Sequence, residues 1–395
     1  MYYPVKNFED TDGGAPTLNR TVPGSLIALL KAVLIDGFNL QPVASLELAA
    51  SGEGGRANFV GNHGFRVHQI VAIAGAIAPA WNGEHRVTAV GGQWIEFELQ
   101  GQPAPESGSG IEIKAAPVGG WEMPLISQDE TRAAFRSLDP SGTRAFWYID
   151  DRRSANIEQS PATTTNVDWR FVRGAMDMPD IDTRVDEFGE GFLFVGTSSQ
   201  GNTIPWDIFA DDRLLYLVTH PIDSSGTYRT VHALGDFITG VPGDIHNAML
   251  VLGRYGSTNT SNGSNSSYWG EMHTSRGKTI AADLDTIPTP INFVMRGSSI
   301  SSTIGGGGFR YPNAANSELF ICTDILIDHT GPRTDERVLR GRVPGIAQPL
   351  HPAPFGHREV IRVAARHWKA VRHAATAATS PSEAETLFDV TGPWR

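Results

Sequence analysis

Arg56-Ala57-Asn58-Phe59 opens the stretch that decides the fold, and Ala116 closes it. A turn at His63-Gly64-Phe65 leads into Gln69-Ile70-Val71-Ala72-Ile73, and Asn82-Gly83 turns the chain into Arg86-Val87-Thr88-Ala89-Val90. After Gly91-Gly92, the residues Trp94, Glu96 and Glu98 alternate with Ile95, Phe97 and Leu99; a Pro/Gly/Ser loop then precedes Ile111 to Lys114. Short β-branched and aromatic runs separated by Asn-Gly and Gly-Gly pairs are strand and hairpin signals. Five such runs predict a small five-stranded β module, a sandwich or a barrel.

Upstream, residues 1–22 read as an irregular arm, with Asp12-Gly13-Gly14 and Pro16 as turn formers. Its aromatics Tyr2, Tyr3 and Phe8 need a surface to pack on, either their own domain or a neighbouring subunit. Pro23-Gly24-Ser25 then opens an amphipathic helix, with Ser25 as N-cap, an apolar stripe of Leu26, Ile27, Leu29, Leu30, Val33 and Leu34, and Gly37 at its end. The stripe packs on the protein's own β domain, or else it helps build an oligomer or docking contact through Tyr2, Tyr3, Leu26, Leu30 and Val33.

Downstream of Pro117 the chain stays β-rich. Arg144 to Ile149 is an aromatic strand signal, and Trp206-Asp207-Ile208-Phe209 and Leu214 to Val218 flank Ala210-Asp211-Asp212-Arg213 as a hairpin. Further runs at Tyr228 to Leu234, Ala248 to Leu252, Pro290 to Met295 and Glu318 to Ile327 complete the expectation of a larger antiparallel β-sandwich. Gly256 to Ser267 is a polar low-complexity tip, and Ser298 to Gly308 ends in four glycines. Near the C-terminus, Val360, Ile361, Ala364, Trp368 and Val371 fit one helix face, while Glu359 to Val363 also alternates as a strand. The expected division is an arm and helix over 1–45, the small module over 46–117, the sandwich body over 118–345 and a C-terminal segment over 346–395 packed on the body.

Composition narrows the function classes. The 395 residues carry a formal net charge of −11, which opposes non-specific nucleic-acid binding. Arg333, Arg337, Arg340 and Arg342 read more simply as solvated charges than as a basic patch. With 43 glycines and 25 prolines, the chain suits many short strands joined by turns. A single cysteine, Cys322, excludes an intrachain disulfide. No signal peptide is visible, and no apolar run approaches the ~20 residues needed to cross a bilayer, so a soluble protein is expected.

Sites of chemistry are weakly signalled. His220, His232, Asp244 and His246 form the best metal candidate among twelve histidines, but they lack any ligand-spacing motif, and no metal or cofactor is expected. Paired carboxylates for glycoside hydrolysis would come from Asp207, Asp211, Asp212 or Asp236. Asp211-Asp212 reads more simply as a hairpin turn and Asp236 as a loop cap. No G-x-S-x-G elbow occurs, and Gly305 to Gly308 lacks the Lys of a phosphate-binding loop. Tyr255, Tyr268 and Trp269 flank the polar tip and are the candidate contacts for a sugar or protein partner; the alternative is that they anchor the loop on the core.

The order of His63-Gly64-Phe65, Gln69 to Ala76, Asn82-Gly83 and Arg86 to Val90 resembles a small β module of phage tail proteins, with Val67-His68 standing where that module has Gly-Asp. Gly13-Gly14-Ala15-Pro16 followed by Pro23 to Leu30 is similar to the N-terminus of phage virion proteins near the tail tip. So are Leu234-Gly235-Asp236-Phe237 with Pro242-Gly243-Asp244, Arg340 to Gly345, and Thr391-Gly392-Pro393-Trp394-Arg395. The resemblance implies strands in the C-terminal segment. It also implies a non-enzymatic structural protein of a phage tail tip or baseplate, located in the virion and partnered by other tail proteins. Tail symmetry would make it a homo-oligomer, a trimer or hexamer. A host-receptor or glycan-binding module is the alternative, and a polysaccharide depolymerase a third.

Overall fold

Short strands and turns dominate, as glycine- and proline-rich composition requires. The structure is a computed structural model that describes residues 3–152, 167–197, 202–222, 228–240, 246–252, 271–274, 292–295, 315–323, 325–330, 337–349, 355–373 and 384–395. The arm supplies strand β1 (Lys6–Glu9), and helix α1 (Ser25–Lys31) continues as a π-helical turn over Ala32–Asp36. The N-cap is Gly24, one residue earlier than expected, because the chain enters the helix with a left-handed φ of 80° that suits glycine. Ser25 instead exchanges hydrogen bonds with the Asn19 backbone, and the Asp151 carboxylate accepts from the amides of Leu26 (2.7 Å) and Ile27 (3.4 Å).

The small module holds β2 (Phe38–Pro42), β3 (Ser45–Leu48), β4 (Gly55–Asn58), β5 (Ile70–Ala74), β6 (Gly83–Val90), β7 (Trp94–Phe97), β8 (Glu106–Ser107) and β9 (Glu112–Ala115) in one sheet of order β2-β9-β5-β6-β7-β4-β3-β8. The five anticipated strands are β4, β5, β6, β7 and β9. β2, β3 and β8 raise the count to eight; they are short, lie at the two ends of the sheet and carry little alternation, so the sequence gives them no clear strand signal. The module has its own core, including Leu46, Phe59, Phe65, Ile73, Trp81, Val87 and Phe97. Its turn residues are structural: His63 accepts from the Phe65 amide on Nδ1 and bonds the Gly91 carbonyl through Nε2 at 2.7 Å, while the buried Trp81 donates to the Ala104 carbonyl. Trp94 is half-buried beneath the Arg56 guanidinium.

The body begins with an antiparallel meander of β10 (Trp121–Ile126), β11 (Arg132–Ser137), β12 (Phe146–Asp150), β13 (Val167–Asp177) and β14 (Val185–Thr197). A second sheet joins the arm strand to β15 (Trp206–Ala210), β16 (Leu214–Ile222), β17 (Tyr228–Asp236), β19 (Ala248–Leu252) and β20 (Glu271–Thr274) in the order β1-β15-β16-β17-β19-β20. β18 (Ile238–Thr239), β21 (Asn292–Met295), β23 (Ile325–Thr330) and β24 (Arg337–Val343) make a third sheet. β22 (Ile321–Cys322), β25 (Ile346–Pro349), β26 (Val360–Val363), β27 (Arg366–His373) and β28 (Ala384–Asp389) make a fourth. The C-terminal segment is therefore stranded rather than helical.

The six-stranded sheet is the centre of the molecule. One of its faces, with Trp206, Ile208, Leu215, Leu217 and Leu250, packs with Phe135, Trp147 and Val172 of the meander and with Leu26, Leu29, Leu30 and Val33 of the helix, forming the expected sandwich. The opposite face, with Phe209, Tyr216, Val218 and Val251, is covered by Ile325, Ile327, Val343, Val371, Phe388 and Trp394, which adds a third layer. A sheet covered on both faces explains why Leu214 to Val218 is an unbroken apolar run.

Several of the short glycine landmarks meet one another in space. The Gly13 amide bonds the Gly64 carbonyl at 2.9 Å, and a Cβ at Gly13 would come within 2.7 Å of Gly64 Cα. Arg340 lies over the Phe237 ring, and a Cβ at Gly345 would strike the Trp394 indole. Glycine is required at these points because backbone or ring packs directly on backbone.

Candidate functional site

Where β1 lies against β15, Glu9 and Asp207 are register partners. Two carboxylates opposite one another in a buried sheet repel and must be neutralised. The neutralising groups come from remote parts of the chain. Arg66, one residue after the His63-Gly64-Phe65 turn, reaches Glu9 (3.0 Å) and Asp12 (2.6 Å) and also donates to the Asn7 carbonyl and side chain. Arg358, ahead of β26, contacts Asp207 (2.8 Å), Glu9 (3.2 Å) and Asp10. Lys369, on β27, reaches Glu9 at 2.7 Å and Asp207 at 3.7 Å. Arm, small module, body and C-terminal segment thus meet in one ion network. Arg358 holds a left-handed φ of 64°, uncommon for an arginine, and its amide is fixed on the Ala370 carbonyl at 2.7 Å.

The network governs its own protonation. Burial works to raise the Asp207 carboxyl, but the hydrogen bond from His220 and the charges of Lys369 and Arg358 outweigh it and hold Asp207 well below the usual carboxylate range. Burial likewise opposes ionisation of Glu9, and Lys369, Arg66 and Arg358 overcome it, leaving Glu9 lowered. At Asp12 burial wins over Arg66 and the carboxyl is raised. Burial pushes the Lys369 ammonium down, aided by Arg66 and opposed by Asp207 and Glu9.

Beside Asp207 stand two imidazoles. His220 Nε2, on β16, lies 3.0 Å from Asp207 Oδ2, and His357 Nε2 lies 3.8 Å from the same oxygen. The two rings are T-shaped with centroids 5.1 Å apart. Burial lowers the pKa of both, that of His357 to about 2 with help from Arg229, so both rings are neutral at physiological pH. Asp207, His220 and His357 offer ligand atoms within 4.8 Å of one another, the one such cluster among the described residues.

Of the candidates read from sequence, Asp207 and His220 belong to this site. His232 is buried among Thr219 and Thr230, and His246 lies in a different segment, where its carbonyl accepts from Arg340. Asp211 accepts from the Arg213 and Leu214 amides in the hairpin turn, and Asp236 accepts from the Thr143 amide, so both have the turn and loop roles expected of them. Leu26, Leu30 and Val33 are buried in the main core, so the helix stripe is covered by the protein's own sheets. Tyr3 is also buried, its hydroxyl donating to Glu98 at 2.7 Å and its ring lying under Arg86. Tyr2, Asp244, Tyr255, Tyr268 and Trp269 lie outside the described residues, as do the polar tip and the tetraglycine loop. Glu9, Arg66, His357, Arg358 and Lys369 escaped the sequence reading. Their partners are far away in the chain, and the only local hint was the Gly356-His357-Arg358 sequence beside a strand.

No protein-family profile matches the chain, and no curated protein is similar to it. Among solved structures, a phage phi92 endosialidase aligns with 9% identity and a TM-score of 0.17, over 90% of this chain and 52% of that one. The chain spans about half the length of that structure, and at this TM-score the alignment carries neither fold nor function across.

No helix among the described residues is long and apolar enough to cross a membrane.

Proposed function

We propose that this chain is a structural component of a phage tail, at its tip or baseplate, that docks on neighbouring virion proteins and is not an enzyme. The observation that carries the reading is the ion network itself. Its charged groups are engaged with one another across four segments, which is the arrangement of a mechanical junction rather than of groups held ready for a substrate. Asp207, the carboxylate most suited to catalysis by burial, has Arg358 on one oxygen and His220 on the other. The ordered landmarks similar to tail proteins support the placement, and several of them serve as contact points between segments. In the assembled tail the protein is a trimer or hexamer.

Quantitative mass spectrometry of purified particles tests this. A fixed stoichiometry with other tail proteins is expected. Absence from intact particles, or release of sugar products from host envelope polysaccharide by the purified chain, overturns it.

A further inference from the structure

We propose that Asp207, His220 and His357 bind a first-row transition metal ion of the Zn²⁺ class, which ties the C-terminal segment to the central sheet. The inference goes beyond the structural role above and stands on separate observations. Both ring nitrogens of His357 are shielded from solvent, yet neither has a hydrogen-bond partner. A neutral imidazole buried in that way costs free energy unless something accepts its lone pair. Its Nε2 lies 3.8 Å from Asp207 Oδ2, too far for a hydrogen bond. The matching separation to His220 Nε2 is 3.0 Å. Tetrahedral Zn²⁺ with bonds of about 2.0–2.1 Å sets its ligand atoms about 3.3 Å apart, and the two observed separations bracket that value.

The chemistry of the donors agrees. Two imidazoles and one carboxylate suit Zn²⁺, Co²⁺, Ni²⁺ or Cu²⁺ and do not suit the all-oxygen preference of Mg²⁺ or Ca²⁺. The cationic neighbours Arg358 and Lys369 approach Asp207 through Oδ1, which leaves Oδ2 as the oxygen on the imidazole side. Arg66, Arg358 and Lys369, with Arg229 near His357, face the four carboxylates Glu9, Asp10, Asp12 and Asp207 in the same network. On binding, the proton that His220 Nε2 shares with Asp207 moves to Nδ1 of the same neutral ring, and each imidazole donates the lone pair of its Nε2. Three protein ligands leave a fourth position for water.

The test uses the full chain after chelator treatment and dialysis. Titration calorimetry with ZnCl₂ should show one equivalent bound, with a rise in melting temperature, and Co²⁺ should give the visible absorption of a tetrahedral site. His357→Ala removes no hydrogen bond, so the metal-free variant should still fold and melt cooperatively, while Zn²⁺ affinity falls ~100-fold or more and the Co²⁺ band disappears. His220→Ala should lose the same band. Failure of the stripped wild type to bind Zn²⁺ overturns the proposal, and so does equal binding by His357→Ala, which would mark uptake by other histidines. Either result leaves the particle stoichiometry untouched, so the two readings fail separately.

Discussion

Arg170 and Asp151 are both fully buried, and their ion pair also holds the start of the helix, because Asp151 accepts from the Leu26 amide while Arg170 donates to the Arg20 carbonyl. Burial raises the Asp151 carboxyl even against Arg170. Arg170→Ala strands that carboxylate and should cost about 3–5 kcal/mol in urea unfolding; replacing both residues by apolar ones of similar volume should cost much less. Acid sensitivity is also set by single residues. Burial, together with His367, pushes His68 down to about 4, and burial alone takes His232 to about 3. The unfolded chain protonates both near about 6.5, so below that pH it binds more protons than the folded chain and stability declines. Each group contributes at most about 1.4 kcal/mol per pH unit over that window. Urea midpoints measured from about pH 7.5 to about pH 4.5 should fall steadily below about pH 6.5. His68→Asn, which tolerates the left-handed φ of 69° at this position, should flatten the decline.

At the level of elements, the helix depends on the sheets it covers. Leu30→Ala opens a cavity in the main core and should destabilise by about 2–5 kcal/mol, with the molar mass by light scattering unchanged, because the side chain faces the protein's own interior. A change of oligomeric state in that variant would point instead to a docking face. The elements were largely legible because their signals are local. Asn82-Gly83, the Trp94 to Leu99 alternation and the Leu214 to Val218 run each specify a strand or turn from a few neighbouring residues. β8 and β22, two residues each, carry no periodicity to read. Ser25 was misplaced as the cap because the carboxylate that serves the helix amides, Asp151, is remote in sequence. The ion network was illegible for the same reason: only the three-dimensional pairing of β1 with β15 tells Glu9 that it faces Asp207.

The whole molecule is held by its ends. Lys6 joins the arm to Glu84 of the small module at 2.6 Å, Arg86 of that module donates to the Val390 carbonyl, and Arg395 reaches Asp211 at 3.2 Å. Deleting residues 1–22 would expose the edge of β15 and leave Arg66, Lys369 and Arg358 short of their carboxylates Glu9, Asp10 and Asp12. Such a truncation should aggregate and be cut rapidly by protease at low temperature, measured against the full chain by size exclusion and limited proteolysis. The pairing of β1 with β15 also has a consequence for synthesis. The ribosome makes Val5 and Phe8 long before the strand that pairs with β1, and none of the hairpins formed in the interval includes β1. The arm strand is thus among the last to settle, and the nascent chain must carry Val5 and Phe8 without their partner strand until Trp206 to Ala210 has emerged.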